Sequence, residues 1–425
     1  MNLTNQTNLA SDIGLQKSRW LIAAAAVVMQ LCLGTVYAWS VFKKPLMAAH
    51  GWTETETQIT FMICIGMIGV CAAFGGAFVD KKGPRIVATV GGVLFGLGTM
   101  LAGLADYTGN IFLLYIGFGF IGGGGNGLAY VTPIATLIRW FPDKRGLVTG
   151  LAVMGFGAGA FFMGQIAPAM INQFSIARTW LIFGAVFLVL TVAMAQFFKN
   201  PPQGWLPQGF VPKAASASTA ASSWTFSEAF STRQWWMLWT VFFLNISAGV
   251  GLLSQLSPLA QEIQKDIIRD PSKLAVAGGV VVSIASLFNG FGRLFWAWLS
   301  DSTGRKTVFI VIFISEALLY LALPQIVNVT LFTAVACYLL ACYGGGFSVM
   351  PAFVADSFGP AHVGRIYGAI LTAWGAAGVV GPLVFARLKG SAIYVAAGML
   401  IIGLLLTIAF KKPAGKIECL ANGKS

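Results

Sequence analysis

The chain has 425 residues, 57% of them hydrophobic and only 10% charged, so its apolar surface exceeds what one water-soluble core can hide. The apolar runs are helix-length rather than alternating ten-residue strands, which excludes a β-barrel and predicts an all-α membrane protein. The formal charge of +13 would suit nucleic acid or anionic lipid, and its placement along the chain favours lipid.

The first 19 residues are polar. The apolar run after Lys17 and Arg19 is too long for a signal-peptide core, so it is expected to be an uncleaved first span. Hydropathy then places twelve candidate spans at 20–42, 58–79, 86–105, 111–138, 147–171, 179–198, 234–257, 274–299, 307–324, 329–355, 364–386 and 391–410. With both termini in the cytoplasm, 18 of the 27 Lys and Arg residues fall on that side, 8 on the other, and Arg293 is the remaining one. That bias predicts an even number of spans and two cytoplasmic termini, in a plasma (inner) membrane. The basic loops then face lipid headgroups, with no nucleic-acid partner and no obligatory protein partner evident.

One long loop interrupts the series, rich in Pro, Ala and Ser. It predicts a six-helix bundle over 1–198, a cytoplasmic linker over 199–233, and a second bundle over 234–425. The linker's end, Trp224 to Trp236, mixes aromatic and polar residues as a short interfacial helix would. Six cysteines (Cys32, Cys64, Cys71, Cys337, Cys342 and Cys419) show no metal spacing and are expected to pack rather than pair or ligate.

The two halves echo each other. Asp80-Lys-Lys-Gly-Pro-Arg85 follows the second span and Asp301-Ser-Thr-Gly-Arg-Lys306 the eighth. Arg139-Trp-Phe-Pro-Asp-Lys-Arg-Gly146 follows the fourth, and Asp356-Ser-Phe-Gly-Pro-Ala-His-Val-Gly-Arg365 the tenth. Such same-direction repeats imply two similar bundles about an axis normal to the membrane. On these residues the whole chain resembles the major facilitator superfamily. The resemblance implies alternating access, with Asp80, Arg85, Asp301 and Arg305 as gating residues on the cytoplasmic side.

Gly117-Phe-Gly119-Phe-Ile-Gly122 spells a dinucleotide fingerprint, but no strand precedes it and the segment is intramembrane. Small residues there, in Met154-Gly-Phe-Gly-Ala-Gly159 and in Tyr343-Gly-Gly-Gly346, let helices approach, slide or bend. His50 and His362 fall in predicted loops, and no nucleophile, base and orienter come together. Neither an enzyme nor a cofactor is expected.

Arg293 lies inside the eighth apolar run. An arginine at bilayer centre costs about 3 kcal/mol on insertion scales, so it should face protein or water and have something to bind; the alternative is a side chain that snorkels to the headgroups, which requires the membrane boundary to fall inside Leu299. Asn289 stands one turn before it, on the same face, and Asn126 and Tyr130 repeat that spacing in the fourth span. Tyr37, Tyr343, Tyr367 and Trp374 add polar aromatics, so a pocket with an aromatic wall and few polar handles is predicted. A guanidinium offers parallel N–H donors matched to a carboxylate and stays charged at any physiological pH. Glu316, in the ninth span, is the other ionisable group placed in the membrane, so one cation argues for one negative charge on the ligand.

Tyr37-Ala-Trp39, Arg139 to Leu147, Glu228 to Trp239, and Asn289 with Arg293 before Asp301 resemble the oxalate/formate antiporters and the related monocarboxylate transporters. The resemblance implies that Arg293 binds the substrate carboxylate, with Tyr37, Tyr130 and Tyr343 around it. Trp374 stands where the oxalate carriers have a lysine, which removes the partner for a dicarboxylate's second end. Asn289 replaces the aspartate of many animal monocarboxylate carriers, and Val41 approximately replaces their first-span lysine. Proton-coupled symport of a small monocarboxylate of the lactate/pyruvate class is expected, with Glu316, Asp301 and Asp356 as candidate proton sites. A packing or lipid-facing role is the other reading of Glu316, because the resemblance implies a peripheral ninth span. Anion exchange is the alternative.

Overall fold

A bilayer core offers no water to backbone N–H and C=O groups, so only helices or closed barrels cross it. The computed structural model describes residues 3–202, 205–208, 210, 223–359 and 362–413, with the side chains of 3–17, 80, 145, 146 and 149 outside that description. Eleven of its helical stretches are long and apolar enough to cross a membrane. The last, Val363–Ala409, breaks at Lys389, whose φ of 47° ends one helix before Ala392 starts the next, so this stretch holds two spans. We number the spans from one to twelve on that basis.

Span 1 comprises Leu3–Gly34, a 3₁₀ turn Thr35–Ala38, and Trp39–His50. It therefore runs past the predicted end at Phe42, and His50 closes this helix rather than lying in a loop. Spans 2 and 3 are Glu54–Lys82 and Pro84–Thr108. Span 4 comprises Ile111–Leu114, a π-helical stretch Tyr115–Gly122, and Gly123–Trp140. Span 5 comprises Arg145–Ala158 and Ala160–Gln173, and span 6 is Ile176–Ala195.

In the second half, span 7 is Arg233–Leu253, followed by the short helix Leu256–Gln264. Spans 8, 9 and 10 are Pro271–Thr303, Arg305–Ala322 and Val329–Phe358. Span 11 comprises Val363–Ile370 and Thr372–Leu388, and span 12 is Ala392–Ala409.

Packing repeats with an offset of six spans: 3 against 6 and 9 against 12, 1 against 5 and 7 against 11, 2 against 4 and 8 against 10. The halves meet through 2 against 11 and 5 against 8, which the same offset interchanges. The two short motifs match in backbone too. Gly83 (φ 83°, ψ 156°) and Gly304 (φ 92°, ψ 146°) each end one helix and begin the next, in a region essentially reserved for glycine. The longer pair departs: Phe141, with negative φ, follows span 4, whereas Gly359, with φ 82°, follows span 10.

The predicted linker falls partly on 203–204, 209 and 211–222, outside the described residues. At its end, Phe226–Phe230 forms a helix with a Thr225 and Glu228 capping box, and the Trp224 N–H donates to the Phe358 carbonyl. Five of the cysteines are free thiols within helices; Cys419 lies outside the described residues.

Candidate functional site

Spans 1 and 5 interrupt their helices opposite one another. A methyl at Gly34 would fall 2.0 Å from the Phe156 carbonyl oxygen, and one at Gly159 would fall 2.5 Å from Gly34. The 3₁₀ turn after Gly34 carries Tyr37, and the turn before Gly159 carries Phe156, so both rings are set at the interface between halves.

Six rings then close a circuit. Centroid distances run 5.1 Å from Tyr37 to Phe156, 5.0 Å to Tyr130, 5.3 Å to Trp374, 5.0 Å to Phe347, 5.4 Å to Tyr343 and 5.8 Å back to Tyr37. Three rings come from each half, and none is more than 4% exposed. Tyr343 and Tyr37 also join the halves by a hydroxyl–hydroxyl hydrogen bond of 2.8 Å. The predicted aromatics Tyr37, Tyr130, Tyr343 and Trp374 thus come together, with Phe156 and Phe347, in a closed cage of packed rings.

Arg293 belongs to this cage, not to the headgroups. It is 1% exposed, and its guanidinium carbon lies 4.7 Å from the Phe347 ring centre, a cation–π contact. Among the described residues its three nitrogens meet no acceptor in full hydrogen-bond geometry, and the Tyr37 and Tyr130 hydroxyls are the polar groups close to the guanidinium. Ion pairs elsewhere engage other cations, among them Arg19, Lys43, Lys265, Arg305 and, when protonated, His50. Gly157 in span 5 makes room for the arginine, since a methyl there would fall 3.0 Å from Nε.

Asn289 is fully buried with neither amide atom bonded, and it lies against Gly344 of span 10. The Trp374 indole N–H is likewise buried without an acceptor. Asn126, in contrast, spends its Nδ2 on the Leu33 carbonyl at 2.8 Å and ties span 4 to span 1. Gln30 donates to the Tyr130 carbonyl at 3.0 Å. Sequence reasoning missed Gln30, Phe156 and Phe347; only the glycine runs around Phe156 and before Phe347 pointed to close packing there.

The remaining predicted residues lie elsewhere. Arg305 pairs with Asp301 in the i, i+4 sense, and its Nε lies 3.7 Å from Asp356. Asp301 and Asp356 are exposed, remote from the cage, as is Arg85 in the first turn of span 3. The Asp80 side chain lies outside the described residues. Glu316 is fully buried and accepts from Asn245 of span 7 at 3.0 Å, so it does not face lipid.

On the face opposite Asp301, the first half is bonded to the second. The Lys43 ammonium, buried where span 1 continues past Phe42, donates to Glu54 Oε1 at 2.7 Å, and Gln255 of the second half donates to the same oxygen at 2.8 Å. On the Asp301 face, Arg19 pairs with Asp143 within the first half, and Arg305 with its two aspartates within the second.

Comparison with known proteins agrees with this architecture. The profile described as "Major Facilitator Superfamily" matches residues 21–382 and 275–420, and the chain belongs to that family. It is therefore a multi-pass membrane transporter and not an enzyme. The oxalate:formate antiporter of Oxalobacter formigenes is 28% identical over 383 residues, covering 89% of this chain and 86% of that one. Apicoplast pyruvate carrier 1 of Toxoplasma gondii is 29% identical, with 70% and 63% covered, and human monocarboxylate transporter 14 is 28% identical, with 41% and 34% covered. Among solved structures, a bacterial homologue of the human lysosomal transporter Spinster superposes with a TM-score of 0.63 at 13% identity, covering 92% of this chain and 94% of that one.

Proposed function

We propose that this transporter carries small monocarboxylate anions of the lactate/pyruvate class by alternating access, in symport with protons. The observation that carries the reading is Arg293: a cation 1% exposed, without a carboxylate partner among the described residues, inside a ring cage to which both halves contribute. Leaving a buried charge unpaired costs about 3–5 kcal/mol, so such a site favours an arriving anion over remaining unpaired. The planar fork suits a carboxylate. Arg293 is the one charged side chain among the described residues of the cage, and Trp374 offers a neutral N–H, so a single carboxylate fits better than two. Tyr37, Tyr130, Tyr343 and Asn289 complete the binding set.

The bundles 1–198 and 234–425 would rock about the cage, with Asp80, Arg85, Asp301 and Arg305 gating the cytoplasmic face of a plasma (inner) membrane protein with both termini in the cytoplasm. Exchange of organic anions is the second reading, favoured by the same lone guanidinium: re-closing the cage without an anion costs more than closing it with one. The oxalate:formate antiporter among the relatives points the same way.

In proteoliposomes, Arg293→Ala is expected to abolish uptake of labelled lactate or pyruvate. Arg293→Lys should lower it at least about tenfold, the loss of one bidentate contact. Uptake near the unmodified rate in both variants would sink the assignment. Vesicles loaded with buffer alone, under an inward proton gradient, separate the coupling modes: accumulation marks symport, and uptake that requires an internal anion marks exchange.

A further inference from the structure

We infer that Glu316 is the site of the transported proton and that it acts on the cage through Asn245 and Tyr343; the inference rests on the proton-coupled reading above. Glu316 is 0% exposed in span 9. Its Oε2 accepts one bond, from Asn245 Nδ2 at 3.0 Å, while Oε1 has no partner among the described residues. The titratable groups facing it are neutral ones: Tyr320 on its own helix, and Tyr338 and Cys342 on span 10. Span 7 contributes Asn245, and span 12 packs through Gly403 on Phe313.

The nearby hydroxyls are committed. Tyr320 donates to the Ala248 carbonyl at 2.8 Å, Tyr338 to Ser315 Oγ at 2.8 Å, and Ser315 to the Val311 carbonyl at 2.7 Å. An ionised carboxylate there lacks the several donors that a buried charge requires, whereas a protonated carboxyl needs only what it has. The step is simple: a carboxylate oxygen takes a proton from water on one side and returns it to water on the other.

The connection to the cage is short. Asn245 Oδ1 abuts span 10 so closely that a methyl at Gly346 would fall 2.1 Å from it. One turn along span 7, Gly249 receives the Tyr343 ring, where a methyl would fall 2.4 Å from Cδ2. Tyr343 in turn bonds Tyr37 across the halves. A change of charge at Glu316 alters the hold on the Asn245 amide. With no slack at Gly346, that amide cannot move without moving span 10 and the tyrosine pair.

The test compares two partial reactions of the full chain in proteoliposomes with labelled pyruvate. Glu316→Gln keeps the shape and removes the titration. It is expected to lose accumulation under a proton gradient while counterflow, with pyruvate on both sides, continues and no longer varies with pH. Asn245→Ala leaves the carboxyl in place and is expected to shift the pH profile of accumulation. Accumulation retained by Glu316→Gln, loss of both reactions together, or an unshifted profile in Asn245→Ala each overturns the inference. Normal uptake by Arg293→Ala would instead sink the cage reading, and an unmodified protein that exchanges without ever accumulating would sink the proton-coupled one.

Discussion

Two cations are buried almost equally, Arg293 at 1% and Lys43 at 2% exposed, and they live in opposite circumstances. Lys43 has its counter-ion built in, since Glu54 accepts its proton bond at 2.7 Å and takes a second bond from Gln255 across the halves. Arg293 has aromatic faces and no carboxylate partner among the described residues. Burial of a charge therefore does not by itself mark a ligand site. What separates a latch from a binding site is whether the protein supplies the partner.

The most damaging way to break this contrast is to make Lys43 resemble Arg293. Glu54→Leu leaves a buried ammonium without its carboxylate. Complete loss of a buried partner costs about 3–5 kcal/mol, and because the Glu54 side chain is 30% exposed we expect about 2 kcal/mol, read as a drop of several degrees in apparent melting temperature in detergent. Adding Lys43→Met should restore most of it. A melting temperature unchanged by Glu54→Leu would show the pair to be no more than a surface ion pair.

Arg293 and its tyrosines were legible in the sequence because a charge and polar rings stand out in an apolar run. Glycine motifs also told their part, with Gly83 and Gly304 in backbone conformations that only glycine adopts readily. Lys43 was not legible: hydropathy ends a span at its first charges, and nothing local shows that a 3₁₀ turn redirects the helix to pair Lys43 with Glu54, 11 residues on. Phe156 and Phe347 are two of 33 phenylalanines, and only the closed ring circuit distinguishes them. Asn126 shares a face with Tyr130, and its Nδ2 donates to the span 1 backbone while its Oδ1 is buried without a partner among the described residues; helical spacing gives the face and not the partner.

Crowding Arg293 sharpens the contrast from its other side. In Gly157→Ala the new methyl would fall 2.9 Å from the Gly290 backbone, which cannot readily yield, and 3.0 Å from Nε of Arg293, whose side chain must then shift. Overpacking of this kind costs about 1–3 kcal/mol, and displacing the guanidinium should raise the KM for uptake about tenfold. Gly390→Ala, with nothing within 4 Å, is the matched control and should change neither. Equal behaviour of the two variants would mean that Arg293 does not depend on the span 5 glycine.

The mildest change isolates the latch from the ion pair. Gln255→Ala keeps Lys43 with Glu54 and removes only the bond between halves, of 2.8 Å. A net hydrogen bond of this kind is worth about 1 kcal/mol, which shifts a two-state equilibrium about fivefold. Because the deleted bond lies on the face opposite Asp301, the shift should favour separation of the halves there. Ser257, whose N–H approaches Ser40 Oγ at 3.5 Å across the same seam, reports on it. A cysteine placed at Ser257 should react about fivefold faster with a water-soluble thiol reagent in the Gln255→Ala background, while one at an exposed position such as Ser302 on the Asp301 face does not. Equal acceleration at both positions would point to general loosening, and none at either would reduce the Gln255 bond to a passive contact, leaving Lys43 and Glu54 as a pair internal to one half.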